Sequence, residues 1–166
     1  MKKALLAAAL ALPFLVLGHG IWRHQSNLSS ADEWHIPIRG YDPRDPLRGH
    51  YIRFAYDWEL RGNGRACVDA LDCNLCLGRE DGRVIATVET PGMECSARVS
   101  PRASDMQISA SFPAGTAAFS SRLFVSESSA PILEAQLREG PMQVVAALGP
   151  DGRLVNRRIV PVSGGR

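Results

Sequence analysis

Between Tyr41 and Tyr56 the chain carries two X-Pro steps, Asp42-Pro43 and Asp45-Pro46, then passes through Leu47, Arg48 and Gly49 straight into His50-Tyr51-Ile52-Arg53-Phe54-Ala55-Tyr56. Each proline locks its own φ and pushes the aspartate before it toward extended backbone, so a helix is excluded here. Asp42 and Asp45 suit Asx-type turns on nearby amides, with Arg44 and Arg48 within reach of both carboxylates. Gly49 gives the backbone freedom where the turn hands over to a strand, and β-branched and aromatic residues make His50 to Asp57 that strand. Alternation sets His50, Ile52, Phe54 and Tyr56 on one face, which we assign to the core, and Tyr51, Arg53, Ala55 and Asp57 on the other.

The rest of the chain reads mostly as short strands between turn residues. Trp34 to Ile38 forms a first strand ahead of the Asp-Pro-Arg-Asp turn. Arg61-Gly62-Asn63-Gly64 is a turn, and Glu80-Asp81-Gly82-Arg83 is a hairpin turn leading into Val84 to Val88. Ser96 to Val99, Met106 to Phe112 and Ser121 to Val125 follow, separated by Pro101 and by Pro113-Ala114-Gly115. Ser128 to Gly140 is expected to hold a single helix, with Ser near the cap, Pro131 in the first turn and Gly140 at the end. Met142 to Leu148 and Arg153 to Val162 close the chain as a hairpin around Gly149-Pro150-Asp151-Gly152. This pattern predicts a mainly β domain over 34–163, a small β-barrel or sandwich with one short helix.

These residues also carry a resemblance. Asp42-Pro43-Arg44-Asp45, Leu47-Arg48, Gly49, Tyr51 and Tyr56 resemble the defining segment of the bacterial GDYXXLXY family, named for Gly-Asp-Tyr-x-x-Leu-x-Tyr. His50 stands where the family has Asp and Phe54 where it has Leu: the second swap keeps an apolar core residue, the first replaces an anion with an imidazole. Arg122, Phe124 and Glu127 with the downstream Glu134 resemble a later family strand, and Asp151-Gly152-Arg153 its C-terminal hairpin. The likeness spans residues 36 to 160 as a set of anchors. The resemblance implies a small envelope protein of uncharacterised function, often met beside multi-span membrane proteins.

Ahead of the domain, Lys2 and Lys3 precede the apolar run Ala4 to Trp22. We read 1–23 as a signal-anchor or transmembrane helix with its lysines in the cytoplasm, and 24–33 as a polar tether. A cleavable signal peptide is the competing reading, because the uninterrupted apolar run ends at Leu17 and Gly18-His19-Gly20 offers small residues for cleavage. Either reading exports the domain; with the family resemblance, this places it on the periplasmic face of a bacterial inner membrane. Without Lys2, Lys3 and Arg23 the chain has 16 basic and 17 acidic residues, a balance that offers nothing to nucleic acid.

Cys67, Cys73, Cys76 and Cys95 are an even set, and in an oxidising compartment two disulfides are the expected outcome, with three connectivities open. Cys73-Asn74-Leu75-Cys76 also admits a redox pair, and the four together a thiolate metal site, although a second CxxC is missing. We assign no cofactor and no metal. A Ser/Lys nucleophile is excluded because both lysines of the chain precede the domain. A Ser/His/Asp triad would have to draw on His24, His35 or His50, of which His50 is the one that neighbours Asp42 and Asp45. No catalytic residue is assigned. The expected role is that of a membrane-tethered, non-catalytic partner of an envelope membrane protein, acting through the Asp42 to Tyr51 turn; the alternative is a redox or metal-binding protein, or a hydrolase.

Overall fold

A computed structural model describes residues 2–29, 31–42, 51–70, 73–111 and 116–162. The chain divides into two units, 1–31 and 32–166. The first is a single helix, α1 (Lys2–Ser29), containing Pro13. It continues through residues 24–29, so most of the expected tether is helical. Among the described residues no helix is long and apolar enough to cross a membrane.

The second unit is built from two sheets. The larger one contains β1 (Asp32–Asp42), β2 (Tyr51–Tyr56), β7 (Gln107–Ser111), β8 (Thr116–Phe124), β9 (Met142–Leu148) and β10 (Leu154–Pro161). Its order is β10-β9-β1-β2-β8-β7, and every neighbouring pair is antiparallel. The smaller sheet holds β3 (Glu59–Arg61), β4 (Leu75–Glu80), β5 (Arg83–Val88) and β6 (Arg98–Val99) in the order β3-β5-β4-β6, with β3 and β5 parallel. The expectation of a mainly β fold holds. The barrel alternative does not: β10 and β7 remain the edges of an open sheet among the described residues.

Side-chain alternation explains how the sheets share one core. In β2, Ile52, Phe54 and Tyr56 are at most 3 % exposed, whereas Arg53 between them is exposed. That is the inward face expected from the sequence. Aromatic rings then continue the core: Phe54 meets Tyr56 edge-on, Tyr56 stacks on Trp58 with centroids 4.5 Å apart, and Trp58 meets the edge of Phe119 on β8. Leu75, Leu77, Val84, Ala86 and Val88 of the smaller sheet belong to the same buried cluster. Burial of such side chains contributes roughly 1.5–3 kcal/mol each and is the main force holding the sheets together.

The turns follow their sequence signals. Asp81 and Gly82, both at positive φ, join Glu80 to its partner Arg83 in a two-residue hairpin of the primed type, matching the strand twist. At the closing hairpin Gly149 N–H donates to Arg153 O, and Gly152 sits at φ +76°.

The expected single helix is corrected to two. Besides α3 (Ala130–Glu139) there is α2 (Gly64–Ala70), a stretch read from sequence only as the end of a turn and the first cysteine. Gly64 opens α2 where a Cβ would lie 2.7 Å from Leu60 Cδ2 and 3.0 Å from the Ala117 backbone, so only glycine lets this helix approach β8 so closely. Ser129 caps α3 by position without a side-chain bond, and Gly140 ends it in extended backbone rather than the left-handed form usual at helix ends. Finally, β8 begins five residues before the expected Ser121, because Ala117, Phe119 and Ser121 alternate into the core.

Candidate functional site

The curl of the larger sheet positions the site. β10 lies four places from β8 in strand order, yet Asn156 of β10 donates from Nδ2 to Ser121 Oγ of β8 at 3.0 Å. The same amide accepts the Tyr56 hydroxyl at Oδ1, 2.9 Å away. A three-residue polar clasp thus draws the edge strand across toward β2 and β8, where main-chain pairing leaves the sheet open. The segment between β6 and β7 covers part of this seam, with Leu154 N–H donating to Ser104 Oγ at 2.9 Å and Ser100 N–H donating to Gly152 O. Ser104 and Ser121 are buried, and both hydroxyls are satisfied by these bonds.

Beside the clasp opens a cleft of about 600 Å³, lined on the β8 side by Ser121, Arg122, Leu123 and Phe124, and on the β10 side by Arg153 to Arg157. β8 pairs with β7 only as far as Ser120, so the stretch forming this wall runs past its outer neighbour. Arg122 makes an ion pair with Asp105 at 3.0 Å, and Arg157 one with Glu33 at 3.2 Å. Asp105 holds φ +52°, a left-handed conformation that Asp and Asn tolerate better than other side chains.

The residues expected to form the site fall into three groups. Pro43, Arg44, Asp45, Arg48, Gly49 and His50 lie outside the described residues. Asp42 ends β1 and Tyr51 starts β2, so this segment connects two paired strands whose last described rung is Asp42 opposite Arg53. Tyr51 and Phe124 are brought together: they face each other across β2 and β8, and their rings meet edge-on at 6.1 Å. Phe124 is nonetheless 66 % exposed. Arg122 finds its carboxylate in Asp105; Glu127 is exposed between β8 and α3, and Glu134 lies within α3. His35 is exposed on β1, and His24 lies in α1.

The cysteines pair as Cys67–Cys73 and Cys76–Cys95, with Cα atoms 5.0 and 5.6 Å apart. The two cysteines of the CxxC are therefore bonded to different partners. Among the described residues no cluster of three or more His, Cys, Asp or Glu is placed to hold a metal ion.

A family model described as GDYXXLXY protein matches residues 13–159. The chain belongs to the GDYXXLXY family. No curated protein and no solved structure matches it. In this GDYXXLXY protein the second Tyr of the signature, Tyr56, points inward to the clasp, while the first, Tyr51, packs with Phe124 at the other end of β2. The signature therefore covers both faces of a single strand. Phe54, at its Leu position, is buried to 1 % exposure.

Sequence reading missed Asn156, Ser121, Ser104 and Asp105. The available signal was an asparagine inside a strand, where this residue is disfavoured unless its amide is used.

Burial pushes the Tyr56 hydroxyl up to about 12, partly offset by its bonds to Asn156 and Ser121. The ordinary tyrosine value is near 10, so below that pH the folded and unfolded chains are both protonated here and the contribution of this group to stability does not change with pH. Between pH 10 and 12 the unfolded chain loses the proton first, and about 2–3 kcal/mol of stability is lost as pH rises through the folded value. Urea titrations at pH 9 and pH 11.5 should show this alkaline loss in the parent and not in Tyr56→Phe.

Proposed function

We propose that this GDYXXLXY protein is an exported, non-catalytic interaction domain, tethered to the bacterial inner membrane by its N-terminal segment and facing the periplasm, whose Asp42 to Tyr51 end binds an integral membrane protein. The observation that carries this reading is Phe124. A large aromatic side chain, 66 % exposed, sits edge-on to the first Tyr of the family signature, at the end of β2 where the strand begins. Exposed aromatic anchors held on rigid strands beside arginines are the usual composition of binding hot spots.

Two further features support export and tethering. Two disulfides suit an oxidising compartment. On α1, Leu10, Leu12, Phe14, Leu15, Val16, Leu17, Ile21 and Trp22 are each more than 60 % exposed, an all-round apolar surface that calls for an apolar surrounding. Two lysines ahead of it orient such a segment with its start in the cytoplasm.

The test has two arms. A phosphatase reporter fused after Arg166 should be active only outside the cytoplasm, and the fusion should stay with membranes through alkaline extraction. Phe124→Ala should leave the urea midpoint almost unchanged, because little of the ring is buried, yet abolish co-purification of the partner from native membranes. Reporter activity in the cytoplasm, or an unchanged set of co-purifying membrane proteins, would overturn the reading.

A further inference from the structure

The cleft beside Phe124 is short of negative charge. Arg53 and Arg122 stand directly opposite each other on β2 and β8, an arrangement of like charges that destabilises a sheet unless anions offset it. Among the described side chains Arg53 donates to the neutral Gln107, at 2.7 Å, and its backbone partner on β1 is Asp42. Arg122 has Asp105, itself 75 % exposed. On the opposite wall Arg153 lines the cleft, and its guanidinium has no partner among the described residues. Between the two walls Asn156 spends one amide hydrogen on Ser121, which leaves the second available.

Arginines on both walls, a spare amide donor between them and an exposed phenylalanine at the rim match a carboxylate next to an apolar group. At the Asn156–Ser121 rung the walls already touch through side chains, so a whole strand cannot be inserted there. Room exists where β8 extends past β7. We propose that this cleft binds an extended acidic peptide segment of the partner protein, seating one carboxylate between Arg122 and Arg153 and one apolar side chain on Phe124. The inference rests on the reading that this end of the domain binds a protein, and it adds the chemistry of what is bound. Asp105 then acts as a resident competitor that the incoming carboxylate displaces from Arg122.

The full-length protein in a non-ionic detergent, titrated against a fluorescent Glu- and Phe-containing peptide and its Gln counterpart, tests this by polarisation. The acidic peptide should bind about tenfold more tightly than the amide form, as expected for one charge-assisted pair. Arg153→Gln should remove that preference without altering the fold, because among the described residues the guanidinium makes no hydrogen bond or ion pair. Asp105→Asn, which keeps the left-handed backbone accessible, should tighten binding several-fold by freeing Arg122. Equal affinity for both peptides, an unaffected Arg153→Gln, or weaker binding by Asp105→Asn would each overturn the proposal. Anionic lipid vesicles, run in parallel, would overturn it if they bound in an Arg153-dependent way while the peptide did not. Loss of the partner in Phe124→Ala alongside equal binding of both peptides would sink the acidic-segment inference alone; retention of the partner in Phe124→Ala would sink the interaction reading on which it rests.

Discussion

Reduction of both disulfides should unfold the domain at physiological temperature. Cys76–Cys95 closes a sequence separation of 19 and Cys67–Cys73 one of 6, so chain-entropy arguments give about 3 and about 2 kcal/mol respectively. Their sum, about 5 kcal/mol, equals the whole stability of many small domains. The longer bridge ties Cys76 of β4 to the segment ahead of β6, where Leu75 faces Val99 and Leu77 N–H bonds Ala97 O. The shorter one fastens α2 through Cys67, which is fully buried. Thermal melts with and without reductant should therefore differ by tens of degrees. The Cys76→Ala/Cys95→Ala pair should be hurt more than Cys67→Ala/Cys73→Ala. An equal or reversed order would mean that packing around α2, rather than loop closure, dominates.

A second large effect is expected at Trp58. Its ring lies between Tyr56, stacked at an interplanar angle of 10°, and the edge of Phe119. Trp58→Ala removes both contacts and leaves a cavity between the two sheets, a change that typically costs about 3–5 kcal/mol. It also takes away the surface on which Tyr56 rests, so the clasp to Asn156 should loosen with it. Equilibrium urea unfolding should show the loss, and Trp58→Phe, which keeps a ring against Tyr56, should recover at least half of it. Because the two aromatic neighbours are shared, Trp58→Ala and Tyr56→Phe should not be additive.

How much of this was legible in the sequence depends on the range over which each signal acts. The alternation in β2 named Ile52, Phe54 and Tyr56 as core because period-two patterning is local. The Asp81-Gly82 hairpin was equally readable, since the turn type demands those residues. What could not be read was which strands meet. Asn156 is 100 residues from Tyr56 and 35 from Ser121, and nothing near it in sequence announces either partner. The curl that makes the cleft depends on that clasp, so the cleft was invisible too. α2 escaped because seven residues ending near a cysteine carry too little periodicity to mark a helix. Arg122 was named from the sequence, but Asp105, the carboxylate it pairs with, lies in a segment that carries no motif.

In the proposed function, the Tyr51–Phe124 end of the sheet is where this GDYXXLXY protein meets a membrane partner. The most direct measurement places a photo-crosslinking amino acid at position 124 in cells, and at position 109 on the exposed β7 edge as the control, followed by mass spectrometry of the membrane fraction. The account predicts one discrete crosslinked membrane protein from position 124, lost when Arg48→Ala is added, and none from position 109. Crosslinks from position 109 alone, or the same products from both positions, would contradict it.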